Sequence, residues 1–383
     1  MSGPMETERG NPPVISGKVR NAVTDWFVRQ TSEEELEESF EDYRKYQMRK
    51  WLFIAACIIV TAVVAAYAVT VGAYDLSISE VYAIIWDHIT GNIHDADMDY
   101  IVITLRSPRI AVAIIAGMGL AVAGVVMQST LLNPLADPYT TGISSGASFG
   151  ATLAMILGFT LAHGPYAIVV NAFVFSLIPM FTILGVARLK QASPTTMIMA
   201  GIAVMYIFNA CTTVMMLWAD PNDMDAVYEW QVGSVSKNKW DAIPIMLVVT
   251  VVGIIVMQLL SRKLNVLSTG DDSARSLGLN VHQMRTLNLL VVSFMTAAIV
   301  SFTGMIGFVG LVAPHISRLF IGPDNRFLIP ASAVLGAALL VCADLLGRTV
   351  IYPSVLPVGV IMSFLGGPIF LWLMLRKKSR IWS

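Results

Sequence analysis

Side chains able to ionise, attack or ligate are few in the apolar parts of this sequence, and their spacing limits the chemistry open to them. Within the long hydrophobic stretches the polar residues are Gln128, Asn171, Asn209, Asn288, His315 and Asp344. Ionisable groups in such stretches are costly, so they are weighed first as functional positions. Asp344 stands one helical turn before Arg348, a spacing that suits a local ion pair at a membrane surface. The alternative use is a proton relay. His315 follows Pro314, where a helix is broken and the ring can bond freed carbonyls. A metal-ligand role needs a second His, Cys or carboxylate close by, and none is near in sequence. His88 and His94 lack metal-site spacing and read as solvated. Cys57, Cys211 and Cys342 fall at unrelated spacings inside apolar stretches, where thiols act as small packing groups, so neither a disulfide framework nor a zinc pattern follows. The sequence therefore assigns no catalytic residue and no metal site, since no nucleophile–base constellation is present. A nucleotide cradle of the G-x-x-x-x-G-K-[ST] kind is missing too: Gly17-Lys18 is followed by Val19 in a polar segment without a preceding strand.

The elements that must carry these residues are membrane helices. Of 383 residues, 56% are hydrophobic and 13% charged, with mean hydropathy +0.69, whereas soluble domains carry about 25% charged residues. Charge-free stretches recur that exceed the roughly 20 residues needed to cross a hydrocarbon core. The expected fold is all-α and polytopic, with about ten transmembrane helices. They are placed near 51–72, 107–130, 139–159, 165–187, 195–218, 242–261, 286–305, 307–321, 328–347 and 355–375. Residues 1–50 form a polar leader, expected to be a floppy tail plus a surface helix, and 51–383 form the transmembrane domain. The first apolar run is too long for a signal-peptide core, so it is expected to stay as a membrane helix. Net charge of −1 provides no field for nucleic acid.

Lys and Arg collect at cytoplasmic ends of spans. With the N-terminus inside, the inner segments hold Arg44, Lys45, Arg49, Lys50, Arg188, Lys190, Arg262, Lys263, Arg275, Arg285, Arg318, Arg326 and the tail residues Arg376, Lys377, Lys378 and Arg380. The outside retains Arg106, Arg109, Lys237, Lys239 and Arg348. Both termini are thus expected in the cytoplasm of a multi-pass cell-membrane protein. Small residues at Gly142, Gly146, Gly150, Ala154 and Gly158 recur every fourth position, a seam for close helix packing in lipid. One inner loop stands out. Ser268 to Gly278 opens with hydroxyl and acidic residues suited to capping a helix and closes on a glycine stop, so it reads either as a short rigid helix outside the bilayer or as a plain connection.

Several ordered motifs carry a resemblance. They are Leu105-Arg106-Ser107-Pro108-Arg109, Gly124 to Gln128, Asn133-Pro134-Leu135-Ala136-Asp137-Pro138 and Gly142 to Ala147. Ala274 to Gly278, Gly307 to Arg318, Ala343-Asp344 with Arg348, Leu356-Pro357-Val358-Gly359 and Gly366-Gly367-Pro368 complete the set. From about residue 60 to the C-terminus the chain resembles the iron-siderophore, haem and vitamin B12 permease family of type II ATP-binding-cassette importers. The resemblance implies a vitamin B12 importer permease-like fold of ten helices, a homodimer with the path on its axis, two cytoplasmic ATPase subunits and an external substrate-binding protein. ATP and Mg2+ would sit on the partner ATPase, and this chain would bind no cofactor. It implies coupling helices at about 269–284, with Asp271, Asp272, Ala274, Arg275, Leu277 and Gly278 in the handle. Arg106, Arg109 and Arg348 would receive carboxylates of the binding protein, a role that suits arginine's planar fork. Ser193, Thr195 and Thr196 would border a cytoplasmic gate, Asp223 to Ser236 an outer vestibule, and the fifth and tenth spans the dimer axis.

The sequence departs from the family pattern where Val355 stands in place of an acidic residue and Asn325 in place of a histidine. The first weakens any carboxylate carried over to the outer mouth. The resemblance points to import of a metal chelate: an iron-siderophore, haem or cobalamin. The alternatives are the same fold carrying molybdate or another metal species, and an ion-coupled secondary transporter, which would be expected to show several mid-membrane carboxylates. A membrane enzyme lacks the residues it would need.

Overall fold

The structure, a computed structural model, describes residues 33–72, 74, 76–190, 193–237 and 240–375. The start of the leader, Lys239 and the basic tail Arg376, Lys377, Lys378 and Arg380 lie outside the described residues. Contacts divide the chain into Met1–Trp51 and Leu52–Ser383. In the first unit the described residues are helical, and Lys45 pairs with Glu41 and Asp42 of the preceding turn at 3.4 and 3.7 Å.

Among the described residues every regular element is helical. In chain order they are α1 (Glu33–Thr70), α2 (Ile78–Thr90), α3 (Ala96–Asp99), a π-helical stretch Tyr100–Arg106 running into α4 (Ser107–Thr130), and a 3-10 turn Pro138–Thr141 before α5 (Ile143–Leu157). Then follow α6 (Ala167–Lys190), α7 (Pro194–Met216), α8 (Pro221–Val232), α9 (Ala242–Leu259), α10 (Ser261–Leu267), α11 (Asp271–Ser276), α12 (Val281–Thr303), α13 (Val309–Ile321), α14 (Asn325–Thr349) and α15 (Val358–Leu375). Among the described residues seven helices are long and apolar enough to cross a membrane, and three apolar ones are shorter, which accounts for the expected ten. Helix α1 spans Glu33–Thr70 rather than starting at Trp51, and the segment between the first two expected spans holds α2, α3 and the π-helical stretch. Ser77 starts α2 with a capping box, its hydroxyl accepting from the Glu80 amide while Glu80 accepts from the Ser77 amide.

Helix α4 is the centre of the second unit. Nineteen of the 24 residues of α4 are buried, against four of 23 in α7, so α4 packs against helices on all sides while α7 keeps a broad apolar face open. Close approach explains the packing around it. A Cβ added at Gly117 would overlap the Gly336 carbonyl of α14, and one at Gly124 the Gly310 carbonyl of α13. Backbone contact of this kind drives helix association in lipid, where apolar burial provides no gain. The glycines at 146 and 150 do the same for α5 and α6: their Cβ positions lie 2.5 Å from the Phe175 and Asn171 carbonyls. Gly142 takes φ 82 at the start of α5.

Two helices are too short to span. At 1.5 Å per residue, the 15-residue α5 and 13-residue α13 reach about 22 and 20 Å, short of the ~30 Å core. The irregular backbone that precedes each is tolerated at depth only when protein buries it and satisfies its polar groups. Ile306 is fully buried, and its amide donates to the Tyr139 hydroxyl at 3.0 Å. The Ser234 amide donates to the Thr303 carbonyl at 2.7 Å, and the Gly359 amide to the Gly233 carbonyl at 3.2 Å. The break at 304–308 is thereby stitched to the end of α8 and the start of α15.

Candidate functional site

The two groups of candidate residues lie at opposite ends of α4, whose 24 residues reach about 36 Å. At the N-terminal end, Arg109 sits in the first turn. Its Nε and Nη2 both lie 2.7 Å from Asp344 Oδ1, and Arg348 Nη2 lies 3.0 Å from Asp344 Oδ2. The turn spacing of 344 and 348 therefore produces the expected pair, and α4 adds a second arginine from across the interface. Asp344 is 1% exposed, so the pair is buried inside the helix bundle rather than held at the surface as expected.

Arg106 and Arg348 have a further set of partners. Arg106 donates to the carbonyls of Val69, Thr70 and Tyr74 at 3.2, 2.8 and 2.8 Å. Arg348 donates to those of Ala68 and Val71 at 3.0 and 2.7 Å. These carbonyls belong to the last turn of α1 and the residues after it, where a helix leaves its acceptors without partners and carries partial negative charge. The two arginines are C-terminal caps delivered from other helices. Gly72 lies directly over the Arg106 guanidinium, which a Cβ there would approach to 2.5 Å. With Arg106 at 6% and Arg348 at 8% exposure, these side chains are engaged inside the bundle rather than open at a rim. Burial and neighbours set their use, and neither is visible in a charge count.

At the other end of α4 lies the short helix α11, covering Asp271, Asp272, Ala274 and Arg275. Its N-cap is Gly270, which has no side chain to cap with. The expected capping by Ser268 and Thr269 does not occur: their hydroxyls donate back to the Leu264 and Val266 carbonyls and close α10 instead. Gly278 takes φ 80 in the turn before α12, so the segment 269–284 is one short helix, a turn and the first turn of a membrane helix. Ala274 is buried, while Leu277 is 69% exposed. Arg275 pairs loosely with Asp272 and Asp271 at 3.6 and 3.9 Å. The firm link is Arg285 of α12, whose Nη1 and Nη2 reach Asp271 at 2.8 and 2.5 Å and whose Nε donates to the Thr130 carbonyl at 3.2 Å. Asn288 donates to the Thr130 hydroxyl at 2.9 Å. The short helix is therefore bolted to the end of the central helix.

Beside this end, Asp324 caps α14. Burial pushes its carboxyl up, but hydrogen bonds from the Arg326 side chain, Asn265 and the Arg326 amide outweigh that and hold it at about 2. Asn325 accepts from the Ser129 hydroxyl at 3.2 Å, which ties α14 to α4. Ser193 starts α7 by accepting from the Thr196 amide at 3.3 Å, and Thr195 is exposed beside it; residues 191 and 192 lie outside the described residues.

Of the other polar residues in the spans, Gln128 donates to the Gly310 carbonyl at 3.3 Å and accepts from Arg318 at 2.9 Å. Asn171 holds the turn after α5, accepting from the Leu161 amide and donating to the Phe159 carbonyl at 2.8 and 2.7 Å. His315 stacks edge-on against Phe370 at 6.3 Å instead of bonding carbonyls freed by Pro314. His88 accepts or donates a 2.8 Å bond with Asp99, rather than being merely solvated. Among the described residues no group of His, Cys, Asp and Glu could hold a metal ion. Sequence reasoning did not find the Gln128–Arg318 pair or the Asp271–Arg285 bolt, because each joins residues remote in the chain; the only signal was a charged or amide side chain at a predicted span end.

A helical bundle with buried half-length helices, a central close-packed span and a protruding handle defines a polytopic membrane permease. The chain belongs to the FecCD transport family, whose sequence model matches residues 56–376. A protein of Methanocaldococcus jannaschii named as an ABC transporter permease is 41% identical over 350 residues, covering 89% of this chain and 99% of its own length. The hemin transport system permease protein of Yersinia pestis is 35% identical over 331 residues, covering 86% and 97%. The cobalamin import system permease protein of Halobacterium salinarum is 39% identical over 281 residues, covering 73% and 74%. Among solved structures, an inward-facing conformation of a metal-chelate type ABC transporter matches with a TM-score of 0.75 at 25% identity, over 85% of this chain and 99% of that one. The resemblance read from the motifs is thus correct. The protein is the permease component of an ABC transporter, a transport subunit and not itself an enzyme.

Proposed function

We propose that the chain is the membrane path of an importer that receives a metal chelate from an external binding protein and is driven by ATP bound, with Mg2+, on separate cytoplasmic subunits. The observation that carries this reading is the linkage Asp271–Arg285–Thr130. A push on α11 is transmitted to α12 and, through the Thr130 carbonyl, to the buried central helix. A loop that merely connected two spans would have no need of a bidentate arginine anchored on a third element. Leu277, exposed beside the bolt, offers an apolar contact to an ATPase, with Asp272 and Arg275 as polar flanks. ATP-driven closure of the two ATPases then shifts the permease between arrangements open to opposite sides.

The active assembly is a homodimer in the cell membrane with both termini cytoplasmic. Helices α7 and α15 line the axis, consistent with their exposed apolar faces, which include Tyr206, Ile207, Phe364 and Leu371. Ser193, Thr195 and Thr196 border the inner gate. The binding protein docks at the end that carries Arg106, Arg109 and Arg348. Its carboxylates engage these arginines by competing with the 68–74 carbonyls, so docking shifts the end of α1. The cargo class is a chelate such as haem, a siderophore complex or a corrinoid. This class is supported by relatives named for hemin and cobalamin transport. Uptake of labelled chelates into proteoliposomes carrying the permease, its ATPase and its binding protein tests the whole reading. Uptake stops when the ATPase is disabled and survives an uncoupler; accumulation by the permease alone on an ion gradient would overturn it.

A further inference from the structure

We propose that α2 is an interfacial membrane helix whose apolar side is embedded in the lipid at the end of α1. Within Ile78–Thr90 the large apolar residues Ile78, Tyr82, Ile85, Trp86 and Ile89 recur at helical spacing. At about 100° per residue they share one side of the helix. Ile85 is half-buried and the others are exposed, Trp86 at 66% and Ile89 at 71%. Glu80 and Asp87 fall on the opposite side, where they line a small cavity with Asp95, Asp99 and His94. That side is in use: His88 and Asp99 share a 2.8 Å bond, and Asp95 caps α3 by accepting from the Asp97 and Met98 amides. The acidic side of α2 thus faces α3, and the apolar side is turned away from it.

The end of α1 selects what covers that side. Leu52 to Thr70 of α1 reaches about 28 Å, close to the ~30 Å hydrocarbon core, and the large exposed residues Ile59, Val63 and Tyr67 follow one another at four-residue spacing as its lipid-facing stripe. The Tyr82 hydroxyl donates to the Ala66 carbonyl at 3.0 Å. Ala66 is exposed next to Tyr67, and its distance from the end of α1 at Thr70 is about 6 Å. The apolar side of α2 is therefore continuous with the lipid-facing stripe of α1, at the ~5–10 Å depth where interfacial helices rest. Tyr74, Tyr82, Trp86 and Tyr100 are all exposed there, and such rings settle at this level with an apolar body in lipid and a polar tip in water. The stretch Ile78 to Tyr100 contains Glu80, Asp87, Asp95, Asp97 and Asp99 but neither Lys nor Arg, so insertion of the apolar side holds the helix, and attraction to anionic headgroups has no part. So seated, α2 fixes the level of the Val69, Thr70 and Tyr74 carbonyls that Arg106 caps. The anchor depends on α1 being a span and on no cargo or partner.

The test is site-directed spin labelling of the full-length permease in dioleoylphosphatidylcholine nanodiscs, with Cys57, Cys211 and Cys342 replaced by Ala. Single labels enter through Ile78→Cys, Trp86→Cys, Ile89→Cys and, on the cavity side, Ala83→Cys. Collisions with dissolved oxygen, which concentrates in lipid, should exceed those with a water-borne nickel chelate severalfold at positions 78, 86 and 89, and the order should reverse at 83. A second readout leaves the cysteines in place and makes only a conservative change: brominated phosphatidylcholine should quench a smaller fraction of the tryptophan fluorescence in Trp86→Phe than in the unaltered protein. A fraction that stays the same or rises, or nickel collisions that dominate at all four positions, overturns the proposal by placing α2 in water. Suppression of both reagents at 78, 86 and 89 with spin–spin broadening overturns it in favour of a second copy of the chain packed on that side.

Discussion

Asp344 shows what burial does to a single charged residue. An aspartate placed one turn from an arginine on an exposed helix would contribute a few tenths of a kcal/mol; at 1% exposure, between Arg109 and Arg348, it neutralises charge that water cannot reach. Asp344→Asn leaves two buried guanidiniums without their carboxylate, and breaking such a group costs about 3 to 5 kcal/mol. A marked fall in the melting temperature of the detergent-solubilised protein is expected, and an unchanged value would mean that water reaches the group. Asp324 is a second case, with a pH signature. Its folded pKa of about 2 lies below the unfolded value of about 3.9, so its contribution is complete above that unfolded value and lost as pH falls toward 2. Asp324→Asn should lower the melting temperature at pH 7, and the gap to the unaltered protein should close between pH 4 and 2. A gap constant across that window would show that the carboxylate's charge is not what holds the cap.

At the scale of elements, the handle and the caps on α1 share one device: an arginine on one helix satisfying the end of another. Arg285 does this for α11 and for the last carbonyl of α4, Arg106 and Arg348 for the end of α1. Replacing Leu277 and Arg275 with Asp alters the exposed side of the handle and leaves the Asp271–Arg285 bolt intact. Binding of the partner ATPase should fall at least tenfold by pull-down or calorimetry, with the fold unchanged by circular dichroism; a complex of normal affinity would remove α11 from the coupling path. The short helices α5 and α13 illustrate the converse dependence. Neither is long enough to span, and each relies on neighbours such as Tyr139 to satisfy the backbone that leads into it.

For the whole molecule, central burial of α4 makes a rigid shaft between the arginine cluster at its start and the handle at its end, so events at either end can be felt at the other. Docking of the binding protein is predicted to draw on Arg106, now occupied by three carbonyls. Arg106→Gln removes the fork without adding opposite charge. Affinity for the binding protein at low ionic strength should drop several-fold, with slower association. If affinity and on-rate both stay at their original values in folded protein, the arginine is a helix cap and nothing more.

The linear chain determined the number of apolar segments, the four-residue glycine rhythm that became the α5–α6 seam, and the ordered motifs that mark the family. These are properties of runs and spacings, and lipid imposes them directly, since every span must be long, uncharged and closely packed. It also placed Asp344 beside Arg348, because one helical turn brings them together. What only the tertiary structure decided is which charges are spent internally. Arg106 meets carbonyls more than thirty positions earlier, Arg109 meets an aspartate on α14, and Arg285 reaches both α11 and α4. An arginine's reach and fork are the same in every sequence, whereas its partners depend on which helix ends the folded bundle brings within that reach.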